Sequence, residues 1–286
     1  MNPRHFMRFA AIDWSGAKGA RHPGIALALC ETGAAAPTLI PPPRGVWSRA
    51  DILHWLRDQA ETPLLVGFDF SFAPPYILRG AYLPGEDTPT TARAFWGYVD
   101  AHAPDADLGA ASFLEARRGT HFYLGARDGT KADFLHFRRC EAHHNAAGFG
   151  KPSTVYDAIG AAQVAKASFA GMRLLHHLGR DVPVWPFDSA PGAGACVVEI
   201  YTTIAARAAG VRKGLSKLRD PAALDLALAT FGSAPHVPLT VYSDHATDAI
   251  LTAAWLRANA LREEFWRPQA LTAQIARTEG WTFGIS

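Results

Sequence analysis

The fold is decided by residues 64–69, whose sequence is LLVGFD. This nearly continuous apolar run of strand length predicts a strand that is buried on both faces, as in a parallel sheet. Residues 8–14, RFAAIDW, form a similar run, and residues 24–30 can return beside them as the second strand of a hairpin. We therefore predict a mixed sheet in which residues 8–14 have one antiparallel and one parallel neighbour.

Two serines mark the starts of predicted helices. Ser48 is a favourable N-cap for a helix that runs to about residue 60. Ser243 is a favourable N-cap for a long alanine-rich helix that runs to about residue 264. Helices of this length can cover the faces of the predicted sheet, which gives an α/β fold.

A long irregular segment interrupts the sheet pattern. Residues 71–191 contain frequent proline and glycine, with helices predicted near residues 90–102 and 161–178. Residues 195–201 then resume the pattern of a buried strand. We expect a single domain over residues 1–286, with residues 71–191 inserted as a partly helical cap.

Composition and charge limit the possible functions. Apolar residues make up 49% of the chain, which is enough for a large core, and the formal net charge is only +2. Because so small a charge creates no strong field, contact with nucleic acid must be local. The three cysteines form no CxxC pair, which argues against a cysteine zinc site and favours a reducing compartment.

The N-terminal residues lack the features of a signal peptide. Asp13 interrupts the first apolar run, and no stretch reaches the roughly 18 apolar residues of a membrane span. We expect a cytoplasmic protein without membrane contact.

Three acidic residues stand at or near the ends of separate strand candidates, namely Asp13, Asp69 and Glu199. A carboxylate in such a place is costly to desolvate unless a cation or hydrogen bonds compensate it. Open α/β sheets bind ligands beyond the carboxyl ends of their strands. If these strands are adjacent, the three carboxylates form a cluster there, although Asp69 taken alone could instead cap the turn that follows it.

Two further acids, Asp244 and Asp248, are four residues apart at the start of the long helix and share one of its faces. Asp244 alone is also explained as an early-turn acid favoured by the helix dipole. Carboxylate ligands from several elements suit Mg²⁺ or Mn²⁺ better than zinc. A pair of such ions, about 3.5–4 Å apart, supports phosphodiester hydrolysis.

These motifs resemble those of the DUF429 family, predicted nucleases of the ribonuclease H-like superfamily. The resemblance covers most of the chain and includes residues 159–166 and 185–188, together with the strand acids and the helix start DHATDAI at residues 244–250. It implies a five-stranded mixed sheet flanked by helices and a metal-dependent acidic site. The residues that match this site best are Asp13, Glu199 and Asp248. The helix start is also similar to that of Holliday-junction resolvases, but Asp244 lies four residues before the second acid instead of three.

The leading prediction is a nuclease that hydrolyses phosphodiester bonds with Mg²⁺ or Mn²⁺. Asp13, Glu199 and Asp248 are its expected metal ligands, and the expected additional ligands or water-positioning groups are Asp69 and Asp244. Lys166 could neutralise a substrate phosphate, or it could be an ordinary exposed helical lysine.

Two other functions remain open from the sequence. Residues 13–16, DWSG, resemble the first phosphate loop of the actin and sugar-kinase folds, which would make the protein an ATP-dependent phosphotransferase. A non-catalytic binding protein that keeps the fold is the third possibility.

Basic and aromatic residues alternate in the predicted cap. Such a pattern can bind a phosphate backbone and stack bases, but acidic residues in the same stretch equally indicate an ordinary surface. The residues are Arg117, Arg118, Arg127, Lys131, Arg138, Arg139 and Lys151, with Phe122, Tyr123, Phe134 and Phe137 between them. A nucleic-acid substrate remains a possible partner.

Overall fold

A six-stranded mixed sheet forms the centre of the computed structural model, which describes residues 6–148, 153–159, 164–211 and 218–286. The strands are β1 (Arg8–Asp13), β2 (Ala26–Glu31), β3 (Thr38–Leu39), β4 (Leu64–Phe68), β5 (Val184–Trp185) and β6 (Cys196–Glu199). Their order across the sheet is β3-β2-β1-β4-β6-β5. The predicted α/β class is confirmed.

Strand β1 has the two neighbours that its sequence predicts. It runs antiparallel to β2, with Asp13 opposite Ala26, and parallel to β4, with Ile12 opposite Phe68. On the far side, β4 is parallel to β6, where Phe68 lies opposite Glu199. The carboxyl ends of β1, β4 and β6 therefore lie side by side at one edge of the sheet.

The sheet has six strands in the described part of the chain, whereas the family resemblance implies five. The additional strand is β5, which pairs in parallel with β6 at the sheet margin. Its two residues are too short a run to give a periodic signal in the sequence. Because β5 lies within residues 71–191, that segment is partly sheet and not purely a cap.

Ten helices surround the sheet in the described ranges. They are α1 (Arg49–Asp58), α2 (Ala92–Ala101), α3 (Ala111–Glu115), α4 (Arg139–Ala146), α5 (Val164–Leu178), α6 (Thr202–Ala208), α7 (Pro221–Ala229), α8 (Asp244–Asn259), α9 (Glu263–Trp266) and α10 (Ala273–Thr278). Among these helices, none combines the length and the apolar character that crossing a membrane requires.

The two serine caps are present. Ser48 Oγ accepts the N–H of Asp51 at 3.0 Å, and the Asp51 carboxylate accepts the N–H of Ser48 at 3.0 Å, which completes a capping box. Ser243 Oγ accepts the N–H of Ala246 at 3.2 Å. The helix that starts there ends at Asn259, so the predicted extension to about residue 264 is wrong, and α9 is a separate short helix.

Each face of the sheet is covered by helices. Alternation along the strands sends Ile12, Phe68 and Val197 into one hydrophobic cluster, which also contains apolar side chains of α1, α2, α3 and α5. It sends Ala11 and Val198 into a second cluster with side chains of α6, α7 and α8. Helix α8 packs across β1 and β2. The inserted segment thus contributes directly to the main core.

Candidate functional site

Asp13 and Asp69 lie beside each other at the carboxyl ends of two parallel strands. Asp13 is the last residue of β1, and Asp69 follows directly after β4. The backbone N–H of Asp69 donates to the carbonyl of Ile12 at 3.1 Å, which fixes the two ends relative to each other. Alternation from Ala11 and Gly67 places both carboxylates on the α8 face of the sheet.

Asp248 completes a group of three carboxylates. It lies in the second turn of α8, the helix that packs on β1. Asp13, Asp69 and Asp248 all line one cavity of about 340 Å³. The structure therefore brings together acids that are far apart in the sequence, from two strands and one helix.

The electrostatics of Asp69 reflect this grouping. Burial raises the pKa of Asp69 to about 8, with the charges of Asp13 and Asp248 adding to the increase, although a hydrogen bond from Thr202 lowers it. Burial and the two neighbouring carboxylates thus both favour the protonated form of Asp69. Neutralisation by a cation or a proton relieves the repulsion from these carboxylates.

Two side chains contact the carboxylates directly. Thr202 Oγ1, in the first turn of α6, donates to Asp69 Oδ2 at 3.1 Å. His245 Nδ1 lies 3.3 Å from Asp13 Oδ1, and the imidazole is 47% exposed. His245 can therefore exchange protons with solvent while it stays beside Asp13. The sequence carries no signal for the role of Thr202.

Helix α5 forms another wall of the cavity. Trp14 Nε1 donates to the carbonyl of Ala167 at 3.1 Å, and Ser168 Oγ accepts the N–H of Ser71 at 3.1 Å. Gly16 approaches the same helix so closely that an added Cβ would lie 2.2 Å from the backbone nitrogen of Ala167. Contacts with α5 thus hold the segment after Asp13 and the segment after Asp69.

Glu199 lines the same cavity, but strand alternation turns it to the other side of the sheet from Asp13 and Asp69. It is on the same side as Val197, so its side chain turns towards the inserted segment and not towards α8. Only 3% of Glu199 is exposed, and its oxygens accept four hydrogen bonds. The donors are Arg138 Nη1 and Nη2 at 2.7 and 2.5 Å, the N–H of Phe72 at 2.8 Å and Thr282 Oγ1 at 2.6 Å.

Asp244 lies outside the group. Both of its oxygens accept hydrogen bonds from Arg219, at 2.8 and 2.9 Å, on an exposed part of the surface. Although Asp244 and Asp248 are on similar faces of α8, Asp248 lines the cavity among the described residues and Asp244 does not. The structure gives Asp244 the place of an early-turn helix acid with an arginine partner.

Lys166 points into a different depression. That depression has a volume of about 110 Å³ and is also lined by Lys18, Arg118 and Glu115. The residues that follow Lys166 in α5, Ala167 and Ser168, line the acidic cavity. In the part of the chain that the structure describes, Lys166 is not a wall of the acidic cavity. The residues before it in the family-like motif, 160–163, lie outside the described residues.

The alternating basic and aromatic residues of the inserted segment are largely engaged in the protein itself. Phe122 and Arg138 are buried, and Arg118 pairs with Asp128 at 2.6 Å. Lys131 pairs with Asp157 at 2.5 Å. These groups do not form an open stacking surface. Lys151, from the same pattern, lies outside the described residues.

Comparisons with protein-family models, curated proteins and solved structures give no match to this chain. The geometry of the cavity therefore carries the functional interpretation. In the described ranges, no three histidine, cysteine, aspartate or glutamate side chains are grouped as a ready-made metal shell.

Proposed function

We propose that the protein is a metal-dependent hydrolase of phosphodiester bonds, a nuclease that uses Mg²⁺ or Mn²⁺. The observation that carries the proposal is the convergence of Asp13, Asp69 and Asp248 on one cavity, where burial and the charges of the other two acids raise the pKa of Asp69. All three residues offer carboxylate oxygens, which are the ligands that these hard cations prefer. The donor chemistry therefore fits the proposed metal, and we propose Asp69 as its third ligand in place of the predicted ligand Glu199.

The order of the strands supports the proposed relation to the ribonuclease H-like superfamily. A hairpin of β1 and β2, a parallel β4 beside β1, and acids at the ends of β1 and β4 agree with the arrangement that the motif resemblance implies. Helix α8 brings the third acid from across β1 and β2. We extend the proposal to nucleic acid as the substrate on this basis.

Side chains of the protein have distinct roles in the proposed reaction. Asp13, Asp69 and Asp248 hold the cation, and Thr202 orients the Asp69 carboxylate through its hydroxyl. His245, beside Asp13 and open to solvent, moves a proton to or from the reacting phosphate group. A bound divalent cation supplies the rest, since it polarises the phosphate and lowers the pKa of water.

A phosphotransferase function is less well supported. The backbone carbonyls of Ser15 and Ala17 accept hydrogen bonds from Arg49, at 2.7 to 3.0 Å, and Gly16 is packed against α5. A phosphate loop needs free backbone N–H groups that face a ligand. Here the N–H of Ala17 instead donates to Ser15 Oγ at 3.3 Å, within the loop itself.

A nuclease assay tests the proposal. Purified protein is incubated with Mn²⁺ and labelled single-stranded, branched and RNA–DNA hybrid substrates, alongside Asp13→Asn, Asp69→Asn and Asp248→Asn. Because loss of a group that only supports a ligand costs about 10–100-fold, loss of a ligand is expected to lower activity by more than about 100-fold. Asp244→Asn, on the same helix but outside the cavity, serves as the matched control.

Two results would contradict the proposal. One is hydrolysis that persists in excess EDTA. The other is activity that survives in Asp13→Asn and Asp248→Asn as well as in Asp244→Asn. A protein that binds no Mn²⁺ by calorimetry would instead be a non-catalytic binding protein with this fold.

A further inference from the structure

A buried ion pair in the wall of the acidic cavity joins the inserted segment to the sheet. Arg138, directly before α4, binds both carboxylate oxygens of Glu199 at the end of β6, at 2.7 and 2.5 Å. Arg138 is 1% exposed and Glu199 is 3% exposed. Loss of one partner would therefore leave the other as an uncompensated buried charge.

The same pair holds the turn that follows Asp69. The N–H of Phe72 donates to Glu199 Oε2 at 2.8 Å, and Arg138 Nη2 donates to Ser71 Oγ at 3.3 Å. Ser71 and Phe72 are the second and third residues after Asp69 in the chain. Hydrogen bonds to Glu199 and Arg138 thus hold the backbone that follows Asp69.

The hydrogen bonding of Glu199 is complete in this arrangement. An ionised carboxylate has about four acceptor positions. Arg138 occupies two of them, Phe72 a third and Thr282 the fourth. A metal ion that binds Glu199 would have to displace one of these donors.

We infer that Arg138 and Glu199 form a positioning pair that fixes the turn of Asp69, and that Glu199 is not a ligand of the metal. The significance of this pair for catalysis rests on the proposed function. Its control of the turn does not, and it can be measured in the metal-free protein.

Hydrogen–deuterium exchange tests the positioning pair directly. In Glu199→Gln and Arg138→Gln, the amide of Phe72 is expected to exchange about tenfold faster or more, because a charge-assisted hydrogen bond is lost or loosened. Exchange at Phe72 that stays at the wild-type rate in both variants would overturn the inference.

Glu86 provides the matched control. It too is a glutamate bound by an arginine, since Arg117 Nε lies 3.0 Å from both of its oxygens, and it also accepts from Tyr98. Glu86→Gln therefore breaks a comparable pair within the inserted segment. Exchange at Phe72 is expected to keep its wild-type rate in this variant. If exchange at Phe72 is as fast in Glu86→Gln as in the Glu199 and Arg138 variants, the acceleration comes from a general loss of stability, and the inference is overturned.

A double variant protects the test against loss of folding. Arg138→Gln/Glu199→Gln removes both charges at once, so its thermal midpoint is expected to lie closer to that of the wild type than those of the single variants do. Exchange at Phe72 is still expected to be fast, because a neutral amide accepts more weakly than a carboxylate. Wild-type exchange in the folded double variant would overturn the inference.

Calorimetry with Mn²⁺ then separates positioning from ligation. Glu199→Gln and Arg138→Gln are both expected to weaken Mn²⁺ binding about 10–100-fold without a change in the number of ions bound. Loss of one bound ion in Glu199→Gln alone would identify Glu199 as a ligand and overturn the inference. If the wild type and Asp69→Asn bind Mn²⁺ equally, the proposed function fails, while the exchange data still decide whether the pair fixes the turn.

Discussion

Replacing Asp69 with asparagine is expected to stabilise the metal-free protein. Burial and the charges of Asp13 and Asp248 raise the pKa of Asp69 to about 8, against a hydrogen bond from Thr202 that lowers it. An ordinary aspartate has a pKa of about 3.9. Between these two values the folded state keeps a proton that the unfolded state has released. The free energy of unfolding of the wild type therefore falls as the pH rises from about 4 to about 8.

The size of the effect follows from the pKa of Asp69. Each pKa unit corresponds to about 1.4 kcal/mol, so the shift from 3.8 to about 8 sets an upper limit of about 6 kcal/mol. Solvent reaches part of the Asp69 side chain and screens the repulsion. We expect Asp69→Asn to be more stable than the wild type by about 2–4 kcal/mol at pH 9, and to match it below pH 4.

Urea unfolding in EDTA at pH values from 4 to 9 measures this difference. Asp51→Asn is a control of opposite sign. Although burial raises the pKa of Asp51, hydrogen bonds from Ser48 and Arg44 hold it well below its usual range. Asp51→Asn should therefore lose stability at neutral pH, with the loss shrinking as the pH falls towards the lowered pKa. If Asp69→Asn gains no stability at pH 9, or gains the same amount at every pH, burial and the neighbouring carboxylates do not raise the pKa of Asp69 as described.

Two other substitutions test the surroundings of the site. Gly67→Ala should lower the free energy of unfolding by about 1–3 kcal/mol, because the added Cβ would lie 2.7 Å from Ile200. Gly192→Ala is the control and should change the free energy of unfolding little, because no atom lies within 4 Å of its added Cβ. Equal urea midpoints in the two variants would contradict the close packing at Gly67. Thr202→Val should weaken Mn²⁺ binding about 10-fold or more, because the hydroxyl that orients Asp69 is lost. Thr202→Ser keeps a hydroxyl and should bind Mn²⁺ as the wild type does. Equal Mn²⁺ affinities of the two variants in calorimetry would argue against an orienting role of Thr202.

The parts of the fold that the sequence predicts correctly depend on local signals. The strand runs and the serine caps at Ser48 and Ser243 are properties of a few neighbouring residues, and they appear in the structure. The proximity of Asp13 and Asp69 follows equally simply, since acids at the ends of adjacent parallel strands must lie near each other.

The orientation of Glu199 could not be predicted in this way. The residues before it in β6, Cys196, Val197 and Val198, are all apolar and all buried, so no alternation shows which face each side chain takes. The burial of Arg138 is equally hidden, because its partner Glu199 lies far along the chain and its neighbours suggest a charged surface. Pairs formed across the fold leave no local pattern in the sequence.

The position of β4 in the sheet has a consequence for how the newly made chain folds. Strand β1 is available to β4 from the start, but its other neighbour, β6, emerges only after the whole inserted segment has been synthesised. Such distant pairing slows folding, since a long loop must close first. Until then an apolar strand has an open edge, which is a site for association with other chains. Residues 64–68 are therefore the segment where we expect aggregation during synthesis to begin and chaperones to bind.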